Sequence, residues 1–459
     1  MSHAEHVLPE LDAYINTLLP PEIKPVGQVV ALSGGLDSTV LLHCLATQAG
    51  TATSLRAIHV HHGLLPQADG WAAHCEALCA SYDVEFLRLD VAVEGIADVG
   101  IEAAARKARY QALRDALRPQ ELLLTAHHQQ DQAETLLLQL LRGGGVAGLA
   151  AMPQLATFST GWLLRPLLNQ SRKQLRAYAE QHKLQWIEDP SNQDMALDRA
   201  RMRHEVLPLL RQRWPQVDKV LARSAEHFAE SASLLEELAH RDYLQCALGD
   251  GGLSIAALRQ LSPAHRRNCL RYWLREQGEQ APSSAQLHQI EQDVLVERED
   301  ADPLFALTDV ELRRYRDHLF CLKKLAPAPT TQRIAWTLTN QQDSELVLPE
   351  GCGKLRATPN NHASAGLPAG EYSVGFIQGG ERIKPVGSVH NRRLKLLLQE
   401  GNVPPWVRRR MPLIYHGQRL VAVADRWVSA ELQIPDSNRG FGLQWLDAPP
   451  GWQGMASSE

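Results

Sequence analysis

Short apolar runs alternate with helix-like segments through the first half of the chain, and this alternation limits the fold more than any other feature. The runs cover residues 28–32, 55–61, 84–91 and 121–126, and the intervening segments cover 39–47, 69–82, 100–117 and 131–142. Four β-α units of about 30 residues each predict a right-handed, doubly wound parallel sheet in an α/β fold. Residues 162–167 and 171–182 predict a fifth unit. Ligands of such sheets sit at the carboxyl ends of the strands. The loops that begin at Ser33, His61 and His127 are therefore the candidate site.

The rest of the chain follows a different pattern. Residues 217–248 and 262–277 have amphipathic helical spacing and predict a mostly helical middle domain. Residues 326–331 read as a linker, and the short, Gly- and Pro-punctuated runs up to residue 446 predict a small α+β domain. The expected domains are 1–215, 216–326 and 332–447, which agrees with about three domains for 459 residues.

Composition excludes several classes. With 44% hydrophobic and 22% charged residues, the chain is neither disordered nor collagen-like. Its apolar stretches, such as 121–126 and 135–141, fall far short of the roughly 20 residues of a membrane span. Glu5, Glu10 and Asp12 near the start, without a basic patch before an apolar run, do not read as a secretory leader. Seven scattered cysteines fit reduced thiols and a cytoplasmic setting.

The strongest local signal is SGGLDS at 33–38, between the first strand and the first helix of the alternation. Gly34 and Gly35 let the backbone approach a phosphate, Ser33 and Ser38 offer hydroxyls, and the helix that directly follows Leu36, Asp37 and Ser38 presents amides that favour anions. An N-capped helix after a glycine turn is the plainer alternative. SGGLDS is neither a GxxxxGK[ST] nor a GxGxxG, so it supports neither a P-loop NTPase nor a dinucleotide fold.

SGGLDS resembles the pyrophosphate loop of the ATP pyrophosphatase superfamily, whose members cleave ATP between its first and second phosphates. That resemblance implies an adenine nucleotide alpha hydrolase-like sheet, with Asp37 near a magnesium ion. Further segments narrow the likeness: AARKARY at 104–110, TAHHQQDQAET at 125–135, RGGGVAGLAAMP at 142–153, RPLL at 165–168, EDPSN at 188–192 and DRARMRHEVLPLL at 198–210. Together with FIQGGERIKPVG at 376–387 and VPPWVRRRMPLIY at 403–415, they resemble the long bacterial form of the tRNA(Ile)-lysidine synthetase family.

The family's reaction replaces the carbon-2 oxygen of a cytidine at the first anticodon position with the side-chain amine of lysine. The tRNA is the isoleucine tRNA with a CAU anticodon, and the modification changes its reading from AUG to AUA. That oxygen is a poor leaving group, so AMP is first transferred onto it from ATP with loss of pyrophosphate. Free L-lysine must then be held or deprotonated by a carboxylate or histidine. Asp131 and Glu134, three apart on one helix face, and His127 in the loop before them are the candidates. Asp131 as a helix cap with Glu134 as its partner is the structural alternative. Arg109 would stabilise negative charge during adenylyl transfer. Many relatives carry two acids where this chain has Gln130 and Asp131, so Gln130 is given no role.

The charge distribution points to RNA contacts. Glu381 to Arg410 holds eight Lys or Arg against two acids, a local +6 in a chain of net charge −5. Arg392, Arg393, Lys395, Arg408, Arg409 and Arg410 are expected to meet tRNA phosphates, with Trp406 beside the triplet as a stacking surface. The resemblance adds Arg199 and Arg203, although Leu197 and Ala200 depart from the family's usual aromatic and Asn. Arg266, Arg267, Arg271 and Arg275 form either an RNA-facing stripe or a solvated face. Zinc is not expected: Cys75 and Cys79 lie four apart, unlike a CxxC pair, and the nearby histidines end strands where nucleotide should lie. No CxxC sulfur carrier supports the rival reading, a tRNA-thiolating relative. A nucleotide-dependent RNA-binding regulator without chemistry is the rival from another class. No obligate protein partner is expected.

Overall fold

The computed structural model describes residues 8–48, 54–63, 66–189, 195–249, 251–295, 303–329, 333–339, 342–360, 366–432 and 440–452. It forms two compact units, Met1–Leu234 and Leu235–Glu459.

The first unit runs α1 (Leu11–Leu18), β1 (Gly27–Ala31), α2 (Leu36–Gln48), β2 (Ser54–His61), α3 (Ala68–Ser81), β3 (Glu85–Asp90), α4 (Ile96–Val99), α5 (Ile101–Ala116), β4 (Glu121–Leu124) and α6 (Gln129–Leu141). After α7 (Val146–Leu149) come β5 (Leu155–Phe158), β6 (Gly161–Leu164) and α8 (Arg172–Gln181). The strand order is β3-β2-β1-β4-β6-β5, parallel except where β5 meets β6. Val29, Val30, Leu122, Leu123 and Leu124 are fully buried, as expected of central parallel strands covered on both faces.

Strand order reverses between β1 and β4, and the crevice beyond their carboxyl ends is the switch point where such sheets bind ligands. The loop after β1 carries SGGLDS, and the loop after β4 carries His127 and His128. The opposite end of the sheet is closed by a buried pair in which Arg56 Nε donates to Glu121 Oε1 at 2.8 Å.

The expected fifth β-α unit is instead entered through an antiparallel hairpin. Gly161 is required there, because a Cβ on it would stand 2.2 Å from the Glu121 carbonyl oxygen. Strand β5 was not expected, since LATF is too short and mixed to show a period.

After α9 (Asp198–Arg201), a π-helical segment (Met202–Val206) leads into α10 (Leu207–Arg213) and the 30-residue α11 (Val217–Cys246). The middle segment carries α12 (Ile255–Gln260), α13 (Pro263–Glu276) and α14 (Ser284–Asp293). It also holds β7 (Leu253–Ser254), β8 (Leu304–Ala306), β9 (Val310–Tyr315) and β10 (His318–Lys323), in the order β7-β10-β9-β8. This small sheet was not expected, but helices still make up most of the segment, as expected. Its strands are at most six residues long and carry charges such as Arg313 and Arg314, which hide the alternation.

The C-terminal region is strand-rich, with a five-stranded and a three-stranded sheet packed around Trp336, Trp406 and Phe441. Thr330 and Thr331 of the expected linker, and Pro190 to Asn192 of EDPSN, lie outside the described residues. Among the described residues, no helix is long and apolar enough to cross a membrane.

Candidate active site

The turn after β1 is shaped by its own side chains. Ser38 Oγ accepts from the Ser33 amide at 3.2 Å, lies 3.0 Å from Ser33 Oγ and donates to Gly35 O at 3.2 Å. Gly34 has φ +82°, and a Cβ there would meet Ile187 at 2.8 Å and Cys75 Sγ at 3.0 Å. Glycine is therefore needed both for conformation and for space. Leu36 is buried beneath the loop, whereas Asp37 opens α2 with its carboxylate at the crevice. Asp37 Oδ1 is a buried atom without a hydrogen-bond partner.

Across the switch point, His128 caps α6. Its Nδ1 accepts from the amides of Gln130 and Asp131 at 3.2 and 3.4 Å, and Asp131 Oδ2 accepts from the His128 amide at 3.1 Å. The capping box thus begins at His128 with Asp131 as the third helical residue, not at Asp131 with Glu134. With Nδ1 accepting, the imidazole proton belongs on Nε2, which lies 3.6 Å from Asp37 Oδ2. His128 therefore stands between the loop carboxylate and the α6 carboxylates.

Those α6 carboxylates are gripped by two arginines. Arg203 Nε donates to Glu134 Oε1 at 2.7 Å, and its Nη2 donates to Asp131 Oδ1 at 3.0 Å. Arg199 Nε donates to Glu134 Oε2 at 3.1 Å, and Gln130 Nε2 donates to Glu134 Oε1 at 3.0 Å. The Glu134 side chain is 0% exposed, while that of Asp131 keeps 13%. The Asp131 carboxyl is held far below the usual carboxylate range against its burial, by His128, then Arg199, His127 and Arg203.

Arg203 lies in the π-helical segment, a type of distortion found at functional sites. Sequence patterns do not reveal such a segment.

His127 is not hydrogen-bonded to the acids. Its Nδ1 lies 2.9 Å from Thr125 Oγ1, and burial pushes its pKa down to about 3. It is neutral at physiological pH. Arg109 is half-buried, and burial pushes its pKa down, with Arg106 and Arg199 adding to the shift.

The structure thus brings Asp37, Asp131, Glu134, Arg199 and Arg203 together through His128. Sequence reasoning gave His128 no catalytic role, although its place just before the acidic helix was a usable signal. It also left Arg165 without a role; this residue is 6% exposed, and its field depresses the pKa of His127.

The basic C-terminal residues separate by exposure. Arg393, Lys395 and Arg409 are exposed, whereas Arg392 pairs with Glu400. Arg408 is half-buried, donating to Val403 O at 2.7 Å and to the Tyr315 hydroxyl at 3.1 Å. Arg410 is 5% exposed and donates to the carbonyls of Trp406 and Ala326. Trp406 is 2% exposed, with its indole N–H on Pro450 O, so no face is free for a base. In the middle segment, Arg266 and Arg267 pair with Glu291, and Arg275 pairs with Glu236.

Comparison with known proteins matches three successive stretches of the chain. The PP-loop domain family matches residues 9–210, the TilS substrate binding domain residues 253–320 and the TilS substrate C-terminal domain residues 372–445. The chain is 43% identical over 419 residues to the tRNA(Ile)-lysidine synthase of Pectobacterium atrosepticum, spanning 91% of this chain and 94% of that one. It is 43% identical over 418 residues to that of Coxiella burnetii, spanning 90% and 92%. Against that of Yersinia pseudotuberculosis it is 42% identical over 448 residues, spanning 94% and 97%. With a pyrophosphate loop facing an arginine-clamped acidic helix at one switch point, and relatives matched along almost their whole length, this chain belongs to the tRNA(Ile)-lysidine synthase family.

Proposed function

We infer that the protein joins free L-lysine to carbon-2 of the cytidine at the first anticodon position of the isoleucine tRNA with a CAU anticodon. One observation carries the chemical reading: His128 places the pyrophosphate-loop carboxylate Asp37 next to the Asp131–Glu134 cage, so both half-reactions share one crevice.

In the first step the carbon-2 oxygen attacks the α-phosphorus of ATP, and pyrophosphate leaves. Ser33, Gly34, Gly35, Leu36, Asp37 and Ser38 hold the departing pyrophosphate through helix amides and hydroxyls. The partnerless, buried Asp37 Oδ1 fits a magnesium ion, which would neutralise pyrophosphate charge when bound. Arg109 stabilises the charge that builds on the transferred phosphate.

In the second step the lysine amine attacks carbon-2, and AMP departs with the original oxygen. Asp131 receives the amine, because it is the caged carboxylate that keeps solvent access. Glu134 is saturated by its arginines and Gln130, and it positions them rather than accepting a proton. His127 supports the pocket as a neutral group. Arg199 and Arg203 set the cage and do not reach freely towards RNA phosphates.

Domains 1–215, 216–326 and 332–447 divide the work into chemistry, substrate binding and tRNA docking. Among the C-terminal cations, the exposed Arg393, Lys395 and Arg409 contact tRNA phosphates, with Arg392 beside them. The setting is the cytoplasm, and no protein partner is needed. Pyrophosphate release by the purified chain, measured with and without this tRNA, tests the reading. Release that depends on the tRNA is expected, and release without it or none at all contradicts the reading.

A further inference from the structure

Three arginines gather at the edge of the site without counter-charges. Arg106 Nη2 donates to the Tyr110 hydroxyl at 3.4 Å, and its guanidinium carbon lies 4.8 Å from the Tyr110 ring centre. Arg109 lies 5.7 Å from the same ring centre, and Arg165 is near enough for Tyr110 and Arg106 to act on its charge. Among the described residues, Arg106, Arg109 and Arg165 make no ion pair with a carboxylate, and Glu102 acts on Arg109 only weakly.

Arg165 is the most enclosed of the three. It is 6% exposed and its Nη1 donates to Pro153 O at 2.6 Å, yet its buried Nε has no partner. Its backbone amide donates to Gln154 O at 2.8 Å, and Gln154 Nε2 is a second buried donor without a partner. Both orphaned atoms are N–H donors. Buried polar groups are nearly always satisfied, and unpaired buried charge is costly. Arg106 and burial together depress the pKa of Arg165, so the free protein holds these charges against their own repulsion. A buried guanidinium with an unpartnered N–H suits an oxyanion. The cluster adjoins the reaction centre through His127, which feels Arg165 and Arg106 as well as Asp131.

We propose that Arg106, Tyr110 and Arg165 form a phosphate-binding subsite beside the adenylylation centre. Its ligand is a phosphoryl or phosphodiester group, supplied either by the adenylyl phosphate of ATP or by the RNA backbone next to the target cytidine. The identity of these two sources rests on the functional reading above; the anion site itself rests on the unpaired donors.

The test compares Arg106→Gln and Arg165→Lys with the parent chain. Affinity for a non-hydrolysable ATP analogue is measured without RNA, and affinity for the tRNA is measured without nucleotide at several salt concentrations. Arg106 is only half-buried, so Arg106→Gln keeps the test informative if Arg165→Lys does not fold. Loss of a charged hydrogen bond weakens one of the two affinities about tenfold. A loss confined to the analogue assigns the subsite to nucleotide. A loss confined to tRNA, with a salt slope lower by about 0.7–0.9, assigns it to the RNA backbone. Folded variants with both parental affinities overturn the subsite. A parent that binds neither ligand overturns the functional reading as well, so the two failures are distinguishable.

Discussion

Arg203 Nε donates to Glu134 Oε1 at 2.7 Å, inside a cage that closes the Glu134 side chain completely to solvent. A fully enclosed carboxylate with two arginines and a glutamine amide around it organises the site more than it reacts. Removing it leaves the partly solvated Arg199 and Arg203 to share Asp131 as their remaining carboxylate. Glu134→Ala should therefore cost on the order of 3 kcal/mol of stability. Urea unfolding of parent and variant measures this, and a parental midpoint would remove the cage from the account.

Asp131 should affect chemistry more than stability at neutral pH. Asn keeps an acceptor for the His128 amide, so the capping box largely survives in Asp131→Asn. Loss of the carboxylate should slow lysine transfer on the order of 100-fold. The folded-state pKa of Asp131 is depressed, so its stabilising contribution is present above the unfolded value of about 3.9 and is lost as pH falls further. Acid unfolding of Asp131→Asn should be less steep below that pH. Near-normal turnover would return Asp131 to a purely capping role.

His127 also loses stability in acid, but over a higher pH window. Its folded pKa of about 3 lies below the unfolded value near 6.5, so the unfolded chain binds a proton that the folded chain refuses. Stability is unaffected by this group above about pH 6.5 and falls as pH drops from there towards 3. His127→Gln should lose that part of the slope in chemical denaturation at stepped pH. An unchanged slope would show that His127 titrates normally.

The arginine triplet should separate into two phenotypes. Arg409→Ala should weaken tRNA binding and lower its salt slope by up to about 0.7–0.9 without changing the melting temperature. Arg410→Ala should lower the melting temperature of the C-terminal unit, because the lost guanidinium bonds the Trp406 and Ala326 carbonyls in a buried setting. Equal effects of both variants on tRNA binding alone would contradict this division.

The parts that were legible in the sequence are those with long periods or steric demands. Alternating runs located the parallel strands, because buried strands need continuous apolar residues such as Val29 and Val30. SGGLDS was legible because Gly34 has a conformation and a close approach that side chains cannot share. Strands β9 and β10 stayed hidden because six-residue segments with charged positions lack a clear period. Trp406 and Arg410 misled for a related reason: composition shows that a segment is basic, but not which way a short helix turns its arginines. His128 was overlooked because its role depends on Asp37, which is distant in sequence and reaches it only when β1 and β4 lie side by side.

The central claim is an adenylated tRNA that precedes lysine transfer at one crevice. The most direct measurement is a single-turnover reaction of the enzyme with the CAU isoleucine tRNA and ATP, first without lysine and then with labelled lysine added. The account predicts that AMP accumulates on the tRNA as pyrophosphate is released, and that lysine then displaces it with stoichiometric release of free AMP. Lysine incorporation without a prior adenylate, or pyrophosphate release that leaves the tRNA unmodified, would contradict it.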